Sequence, residues 1–165
     1  MKKQILILTT SLFFAVCVCS QTFQIENNAL ILPSAISFES GSDVLKPESE
    51  VALKHVLAYL NEKTYISLMR IEGHVFSSGN EAANQLLSEK RALIICKWLI
   101  KNGVDCNRLI AVGFGSMKPI ADNTTPEGRA LNQRIVFVNV ALRGRNIGGM
   151  PSDGGGVVAG DVCVK

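Results

Sequence analysis

The residues of this sequence that could do chemistry are mainly two histidines and five cysteines. His74 has no nucleophile and no second metal ligand close by, and such a histidine is more often a hydrogen-bonded scaffold residue than a catalyst. His55 falls on a predicted helix and is expected to face solvent. Zinc sites typically use the spacings Cys-x-x-Cys or His-x-x-x-His, and the chain has neither of them. The sequence therefore predicts no metal site and no enzyme.

Nucleotides and nucleic acids are also poor matches for this chain. The glycines of Gly113-Phe114-Gly115 are not followed by the helix that a phosphate-binding loop requires. The formal net charge is +3, and it falls to +1 without Lys2 and Lys3. A charge this small argues against the strongly basic surface that nucleic-acid binding needs. We therefore expect no cofactor and no nucleic-acid partner.

The first twenty residues have the three-part layout of a secretory signal peptide. A basic start precedes an apolar run over residues 5–18, and small residues lie near Ser20. The apolar run is short for a membrane span, which takes ~20 residues. We expect export, with cleavage after Ser20. The alternative is lipidation at Cys17 or Cys19. We favour it less, because a valine precedes each of these cysteines where lipoprotein signals prefer a small residue.

Three cysteines remain beyond the predicted signal: Cys96, Cys106 and Cys163. An exported protein can carry disulfides, so one pair and one remaining thiol is the simplest arrangement. We expect the pair to be Cys96 and Cys106, which would tie a helix to the segment after its end. Three free thiols are the alternative, because the geometry of the fold decides the pairing.

Strands and helices alternate along the chain, and they must position any site. Pro47 followed by acidic residues is typical of a helix start, and Asn102-Gly103 is typical of a helix end. The alternation predicts an α/β fold with two layers, in which helices cover one face of a sheet. The predicted strands are residues 31–38, 65–71, 109–114 and 134–142. The first predicted helix starts at Pro47, and the second starts after Gly79 and runs to Lys101. A third, short helical turn is predicted at residues 127–129.

The ends of the chain differ in composition from its middle. Residues 21–29 form a short N-terminal segment, and residues 30–142 carry the alternating strands and helices of one domain. Residues 143–165 are rich in glycine and have little apolar surface to bury. We expect this last segment to be a flexible tail.

Five separated blocks of sequence carry a family resemblance. They are Ile71-Glu72-Gly73-His74-Val75-Phe76-Ser77-Ser78-Gly79, Asn84-Gln85-Leu86-Leu87-Ser88-Glu89-Lys90-Arg91-Ala92, Gly113-Phe114-Gly115, Pro119-Ile120-Ala121-Asp122-Asn123 and Glu127-Gly128-Arg129-Ala130-Leu131-Asn132-Gln133-Arg134-Ile135. In this order they resemble the OmpA-like domain, the peptidoglycan-associating domain of the OmpA, Pal and MotB type. The resemblance covers residues 30–142 and implies a two-layer αβ sandwich with a mixed sheet.

The resemblance also implies a ligand and a way of binding it. In such domains an aspartate and an arginine clamp the zwitterionic end of diaminopimelate in the peptide stem of peptidoglycan. The arginine corresponds to Arg91, and an asparagine of the site corresponds to Asn84. A guanidinium fork suits a carboxylate, and a fixed anion suits an ammonium group. We therefore expect Asn84 and Arg91 to bind peptidoglycan.

The site departs from the family pattern at two positions. The family's Gly-His-Thr-Asp is Gly-His-Val-Phe here, which places Phe76 where the aspartate belongs. The family's Asn-Arg-Arg is Asn-Gln-Arg, which places Gln133 where a cation belongs. Losing a charge-assisted hydrogen bond removes about 1.5 to 3 kcal/mol of binding free energy. We therefore expect weakened binding.

These observations predict an exported protein of the periplasm or the outer membrane that is tethered to peptidoglycan. The alternative is a structural or protein-interaction component of an envelope assembly that has lost wall binding. In that case Phe76 would be an exposed apolar anchor for another envelope protein.

Overall fold

The computed structural model describes residues 22–77, 79–149 and 154–164. The predicted signal peptide lies outside the described residues. A single-turn 3-10 helix over Pro47–Ser49 leads into the first α-helix, and another over Cys106–Arg108 precedes the fourth strand. The elements are β1 Ile25–Glu26, β2 Ala29–Leu30, α1 Glu50–Glu62, β3 Ile66–His74, α2 Glu81–Lys101, β4 Leu109–Gly113, α3 Pro126–Asn132, β5 Arg134–Leu142, β6 Arg145–Asn146 and β7 Val157–Val158.

The strands form one mixed sheet in the order β1-β2-β5-β3-β4-β7, and β6 also pairs with β5. β3 is parallel to β4 and antiparallel to β5, so it is the central strand. The predicted α/β architecture with a mixed sheet is confirmed. The core lies between this sheet and the helices, and it contains Leu53, Val56 and Leu60 from α1, Ile95 and Leu99 from α2, and Met69, Ile71 and Phe137 from the sheet.

α2 begins and ends where the sequence predicts. The Asn80 side chain accepts a hydrogen bond from the Ala83 N–H at 3.0 Å, which satisfies one of the free donors of the first turn. At the other end Gly103 has a φ of +98°, a conformation that glycine adopts readily and that closes a helix. These local signals fix both ends of the longest helix.

The predicted first strand, residues 31–38, is wrong. The strand in this region is the shorter β2, and beyond it only Phe38 forms an isolated bridge, with Leu45. Pro33 has no N–H to donate to a ladder, and the chain leaves the edge of β5 before reaching it. The segment after β2 therefore runs beside β5 without pairing to it.

The predicted flexible tail is also wrong for the described residues after 142. Arg143 and Gly144 have φ angles of 48° and 76°, which makes a tight two-residue turn into β6. Further along, β7 pairs antiparallel with β4. Ala159 and Val162 are buried in the core, so this glycine-rich segment supplies apolar side chains that its composition hides.

The predicted Cys96–Cys106 disulfide is wrong, because Cys106 is bonded to Cys163. Cys96 has a free thiol that is fully buried in α2, and burial raises its pKa to about 12. The Cys96 side chain packs in the core, whereas Cys106 lies beside the returning C-terminal segment. The disulfide therefore holds β7 against the sheet. None of the described helices is long and apolar enough to cross a membrane.

Candidate functional site

Two neighbouring glycines allow α2 to lie very close to the sheet. Gly73 and Gly113 are partners in the β3–β4 ladder. A Cβ on Gly73 would lie 2.1 Å from the Ser88 carbonyl oxygen, and one on Gly113 would lie 2.5 Å from Glu89 Cγ. Ser88 Oγ also accepts a hydrogen bond from the Gly115 N–H at 2.9 Å. This close contact fixes the helix one turn before Arg91.

Arg91 is buried, with 4% of its surface exposed. Its Nε–H donates to the Ser42 carbonyl oxygen at 2.9 Å, and Nη1 donates to Gln133 Oε1 at 3.3 Å. The guanidinium carbon lies 4.7 Å from the centre of the Phe38 ring, within the range of a cation–π contact. Contacts from the segment 38–42 and from Gln133 therefore hold the side chain in place.

The guanidinium keeps its charge without a close anion. Burial lowers the pKa of Arg91, and nearby Asp43 partly opposes this effect. An arginine nevertheless stays protonated in proteins. In the part of the chain that the structure describes, no carboxylate oxygen lies within 4.0 Å of its nitrogens. Its several N–H donors exceed the two acceptors described above, so the site can take an anion.

Arg91 lines a groove of about 380 Å³. Lys46 and Arg134 add two more cations to its wall, and none of the lining residues is an aspartate or a glutamate. Arg134 Nη2 donates to the Lys118 carbonyl oxygen at 3.0 Å, which holds that side of the groove. The remaining lining residues are Ala35, Ile36, Ser37, Phe38, His74, Ala130, Gln133 and Ile135. The groove is thus a cationic site.

The structure brings together two of the four residues that the sequence singles out. Arg91 and Gln133 contact each other and line the groove. Asn84 is buried on the same face of α2 but lies about 10 Å away along the helix axis, outside the groove lining. Phe76 follows β3, also outside the lining, and it is half-buried rather than exposed.

Neither Asp43 nor Glu81 forms an ion pair with the Arg91 guanidinium. Asp43 is close enough to influence the pKa of Arg91 but lies beyond ion-pair distance. Glu81 accepts hydrogen bonds from the hydroxyls of Ser77 and Ser116. The groove beside Arg91 therefore stays open and cationic.

A charged cluster on β3 was not predicted from the sequence. Glu72 accepts from Arg70 Nε at 2.8 Å and lies 3.2 Å from His74 Nε2. His74 stacks on Phe114 with the ring centres 5.1 Å apart. Burial lowers the pKa of His74, whereas for Glu72 burial raises the pKa but is outweighed by His74 and Arg70, so its pKa is lowered. The alternation of Arg70, Glu72 and His74 on one strand face was the available signal.

This cluster does not form a metal site. Among residues 22–77, 79–149 and 154–164, no group of three or more histidines, cysteines or acids is placed to hold a metal ion.

Residues 37–133, more than half of the chain, match the OmpA family. The chain belongs to the OmpA family. Outer membrane porin F of Pseudomonas fluorescens is 36% identical over 100 residues, which cover 61% of this chain and 30% of the porin. The probable lipoprotein YiaD of Escherichia coli is 37% identical over 112 residues, or 67% of this chain and 50% of YiaD. Peptidoglycan-binding protein ArfA of Mycobacterium tuberculosis is 44% identical over 68 residues, or 41% of this chain and 21% of ArfA.

This OmpA family chain therefore corresponds to half or less of the length of these curated relatives. Among solved structures, the periplasmic domain of Helicobacter pylori MotB has a TM-score of 0.58 at 21% identity and shows the same fold over 73% of this chain and 90% of that one. The cell wall anchor of the T6SS from Pseudomonas aeruginosa has a TM-score of 0.54 at 26% identity, over 62% of this chain and 73% of the anchor.

Proposed function

We propose that this protein binds peptidoglycan non-covalently and that Arg91 receives a carboxylate of the peptide stem. The observation that carries the proposal is the buried Arg91 guanidinium, which faces a cationic groove and has no carboxylate of the described chain within 4.0 Å. Membership of the OmpA family supports it, as do one relative named as peptidoglycan-binding and one structural neighbour described as a cell wall anchor.

The geometry of the groove suits a carboxylate. A guanidinium can donate two parallel N–H bonds to the two oxygens of a carboxylate, and burial strengthens such a charge-assisted pair. Gln133 and the Ser42 carbonyl oxygen hold the guanidinium in position before the ligand arrives. Lys46 and Arg134 increase the positive potential of the groove.

The ammonium end of diaminopimelate has a poorer partner. Phe76 occupies the position of the family's aspartate, and an aromatic ring at an exposed or partly exposed site offers a cation only about 0.5 to 1 kcal/mol. A carboxylate at that position would contribute about 1.5 to 3 kcal/mol through a charge-assisted hydrogen bond. We therefore propose weakened binding. Asn84, on the same helix face as Arg91, is our second ligand residue.

The place of action follows from the same proposal. The N-terminal sequence has the layout of a secretory signal, and relatives of this chain are named as outer membrane proteins. We propose an exported protein in the periplasm or at the outer membrane that tethers the envelope to its wall, without catalysing a reaction.

The second candidate is an interaction component of an envelope assembly that no longer binds the wall. Phe76 and Gln133 favour it, because both replace charged residues of the family's site. Phe76 is half-buried, so the ring offers a partner protein less apolar surface than an exposed anchor would. For this reason we place wall binding first.

Co-sedimentation of the purified protein with insoluble peptidoglycan tests the proposal. We expect wild type to sediment, Arg91→Ala to stay in solution, and Phe76→Asp to bind about tenfold more tightly because it restores the anion. Lys90→Ala is the matched control, because Lys90 is the exposed neighbour of Arg91 on α2 and its loss removes the same charge. Thermal unfolding of each variant shows that the fold is kept.

The outcomes separate the two candidates. Sedimentation of wild type and Lys90→Ala but not of Arg91→Ala supports wall binding through the groove. If wild type stays in solution and only Phe76→Asp sediments, wall binding has been lost and the interaction component takes its place. Equal sedimentation of wild type and Arg91→Ala rules out the proposed site.

A further inference from the structure

The outer edge of β5 is paired over only part of its length. β3 pairs with β5 along its inner side from Arg134 to Leu142. On the outer side β2 pairs with Phe137 and Val138, the Asn139 N–H donates to the Asn28 carbonyl oxygen at 2.8 Å, and β6 pairs further along. The first three residues of β5 have no strand partner on that side among the described residues.

On this open edge, the N–H and C=O groups of one residue point away from β3. In an antiparallel ladder both polar groups of one residue point to the same side, and the side alternates from residue to residue. Because Asn139 bonds outward to Asn28, Phe137 and Ile135 also direct their N–H and C=O groups outward. Nothing in the described parts of the chain bonds to Ile135 on that side. Ile135 thus presents an unused donor and acceptor.

A trench runs beside this open edge. The groove of about 380 Å³ at Arg91 adjoins a second groove of about 340 Å³, and the two share Ile135 in their walls. The unpaired segment after β2 forms the opposite wall. The residues common to both grooves are Ala35, Ile36, Gln133, Arg134 and Ile135, and the second groove alone adds Ala29, Leu30, Ile31, Leu32, Ser34 and Val136.

The two halves of the trench differ in chemistry. Lys46 and Arg91 line only the first half, Arg134 lines both halves, and the residues that only the second half adds are mainly aliphatic. Neither half has an aspartate or a glutamate in its lining. The trench therefore complements a chain that carries a carboxylate at one end and small apolar groups beyond it.

We propose that the trench binds an extended peptide as an added β-strand, whose backbone bonds to the N–H and C=O of Ile135 while its carboxylate reaches Arg91. This inference rests on the proposed function, because the peptide that we assign is the stem of peptidoglycan. Strand addition gives main-chain hydrogen bonds to an otherwise open edge.

The spacing along β5 agrees with this register. Gln133, which contacts the Arg91 guanidinium, precedes Ile135 by two residues. Two residues of extended chain span about 7 Å, so a peptide whose carboxylate meets Arg91 brings its backbone to Ile135 within one or two residues. The ligand is thus held by a charge at one end and by its backbone further along.

Binding of soluble stem peptide tests the inference, with titration calorimetry for affinity and NMR hydrogen exchange for the Ile135 amide. Ala35→Phe fills the trench and Ala35→Glu places an anion in it, and Ala35 is exposed outside any helix or strand, so both variants keep the fold. We expect each to weaken binding about tenfold or more, and we expect the peptide to slow exchange at Ile135. Thr64→Phe is the matched control at an exposed position away from both grooves.

The outcomes distinguish strand addition in the trench from peptidoglycan binding in general. Weaker binding by both Ala35 variants but not by Thr64→Phe, with slowed exchange at Ile135, supports strand addition. If Arg91→Ala abolishes binding while the Ala35 variants bind like wild type and Ile135 is not protected, strand addition is overturned and the proposed function stands. If wild type does not bind stem peptide or intact peptidoglycan, both proposals fail together.

Discussion

The two edges of the sheet end in different ways. At the β4 edge the chain's own C-terminal segment adds β7, buries Ala159 and Val162 in the core, and is bonded to the domain through Cys106 and Cys163. At the β5 edge the pairing stops at Phe137, and the trench beside Arg91 follows. One edge is therefore closed by covalent and apolar contacts, whereas the other is left open.

The difference indicates a division of labour within one sheet. An open edge invites pairing with other chains, and proteins cover most edges for this reason. The β4 edge is covered by the chain itself and contributes to stability. The β5 edge is uncovered only where three cations line the neighbouring groove, so its opening coincides with the proposed ligand site. Stability and binding should accordingly respond to different substitutions.

Loss of the disulfide should have the largest effect on stability. Cys163→Ser releases a loop closed over 57 residues of sequence separation, and a disulfide typically stabilises a protein by about 2 to 4 kcal/mol. Urea unfolding should show this loss, and hydrogen exchange should be faster at Ala159, whose N–H donates to the Ala111 carbonyl oxygen. Binding at the other edge should not change. A matching loss of peptidoglycan affinity would show that the edges are not independent.

A side chain on Gly73 should have the next largest effect and should reach the site. Gly73→Ala places a Cβ 2.1 Å from the Ser88 carbonyl oxygen, so α2 must move away from the sheet. Overpacking of this kind costs about 1 to 3 kcal/mol. Because Arg91 lies one turn beyond Ser88 on α2, a shift of the helix should also weaken peptidoglycan binding. Cys163→Ser, in contrast, should leave peptidoglycan binding unchanged. Lys90→Ala is the comparison, because Lys90 lies exposed on the same helix and its change to alanine places no atom against the sheet. Unchanged stability in Gly73→Ala would contradict the close packing.

Acid should have the smallest effect, through the cluster on the central strand between the two edges. Burial holds the pKa of His74 below its usual 6.5, and the pKa of Glu72 is also below its usual 4.5. A lowered folded pKa contributes stability above the unfolded pKa that is lost as pH falls through the folded one. Thermal unfolding should therefore occur at lower temperature as pH falls below about 6.5. His74→Gln should flatten the decline between pH 6.5 and 4.5, and an identical decline in this variant would contradict the assignment.

Local sequence signals predicted the middle of the molecule well and its edges poorly. The start and end of α2 and the bounds of β5 were predicted from Gly79, from the Asn102-Gly103 stop and from a run of apolar residues, which act within a few residues of chain. Pairing of β7 with β4 joins distant segments, and no local pattern determines it. The disulfide is also a contact between distant segments. Which cysteine pairs with Cys106 depends on the face of α2 that Cys96 occupies.

The residues of the candidate site could be predicted from the sequence, whereas their arrangement could not. Arg91, Asn84, Phe76 and Gln133 came from the family resemblance. The burial of Arg91 and its contacts with Ser42, Phe38 and Gln133 depend on loops that meet only in the folded chain. Motifs can therefore identify a charged residue, but the shape of its groove requires the fold.

The most direct test of the account is to change the ligand rather than the protein. Soluble stem peptide with a free diaminopimelate carboxylate should bind wild type at least tenfold more tightly than the same peptide with that carboxylate amidated, because Arg91 needs an anion. In Arg91→Ala the two peptides should bind equally weakly, and in Lys90→Ala the preference for the free acid should remain. Equal binding of both peptides by wild type would contradict the claim that Arg91 receives the carboxylate.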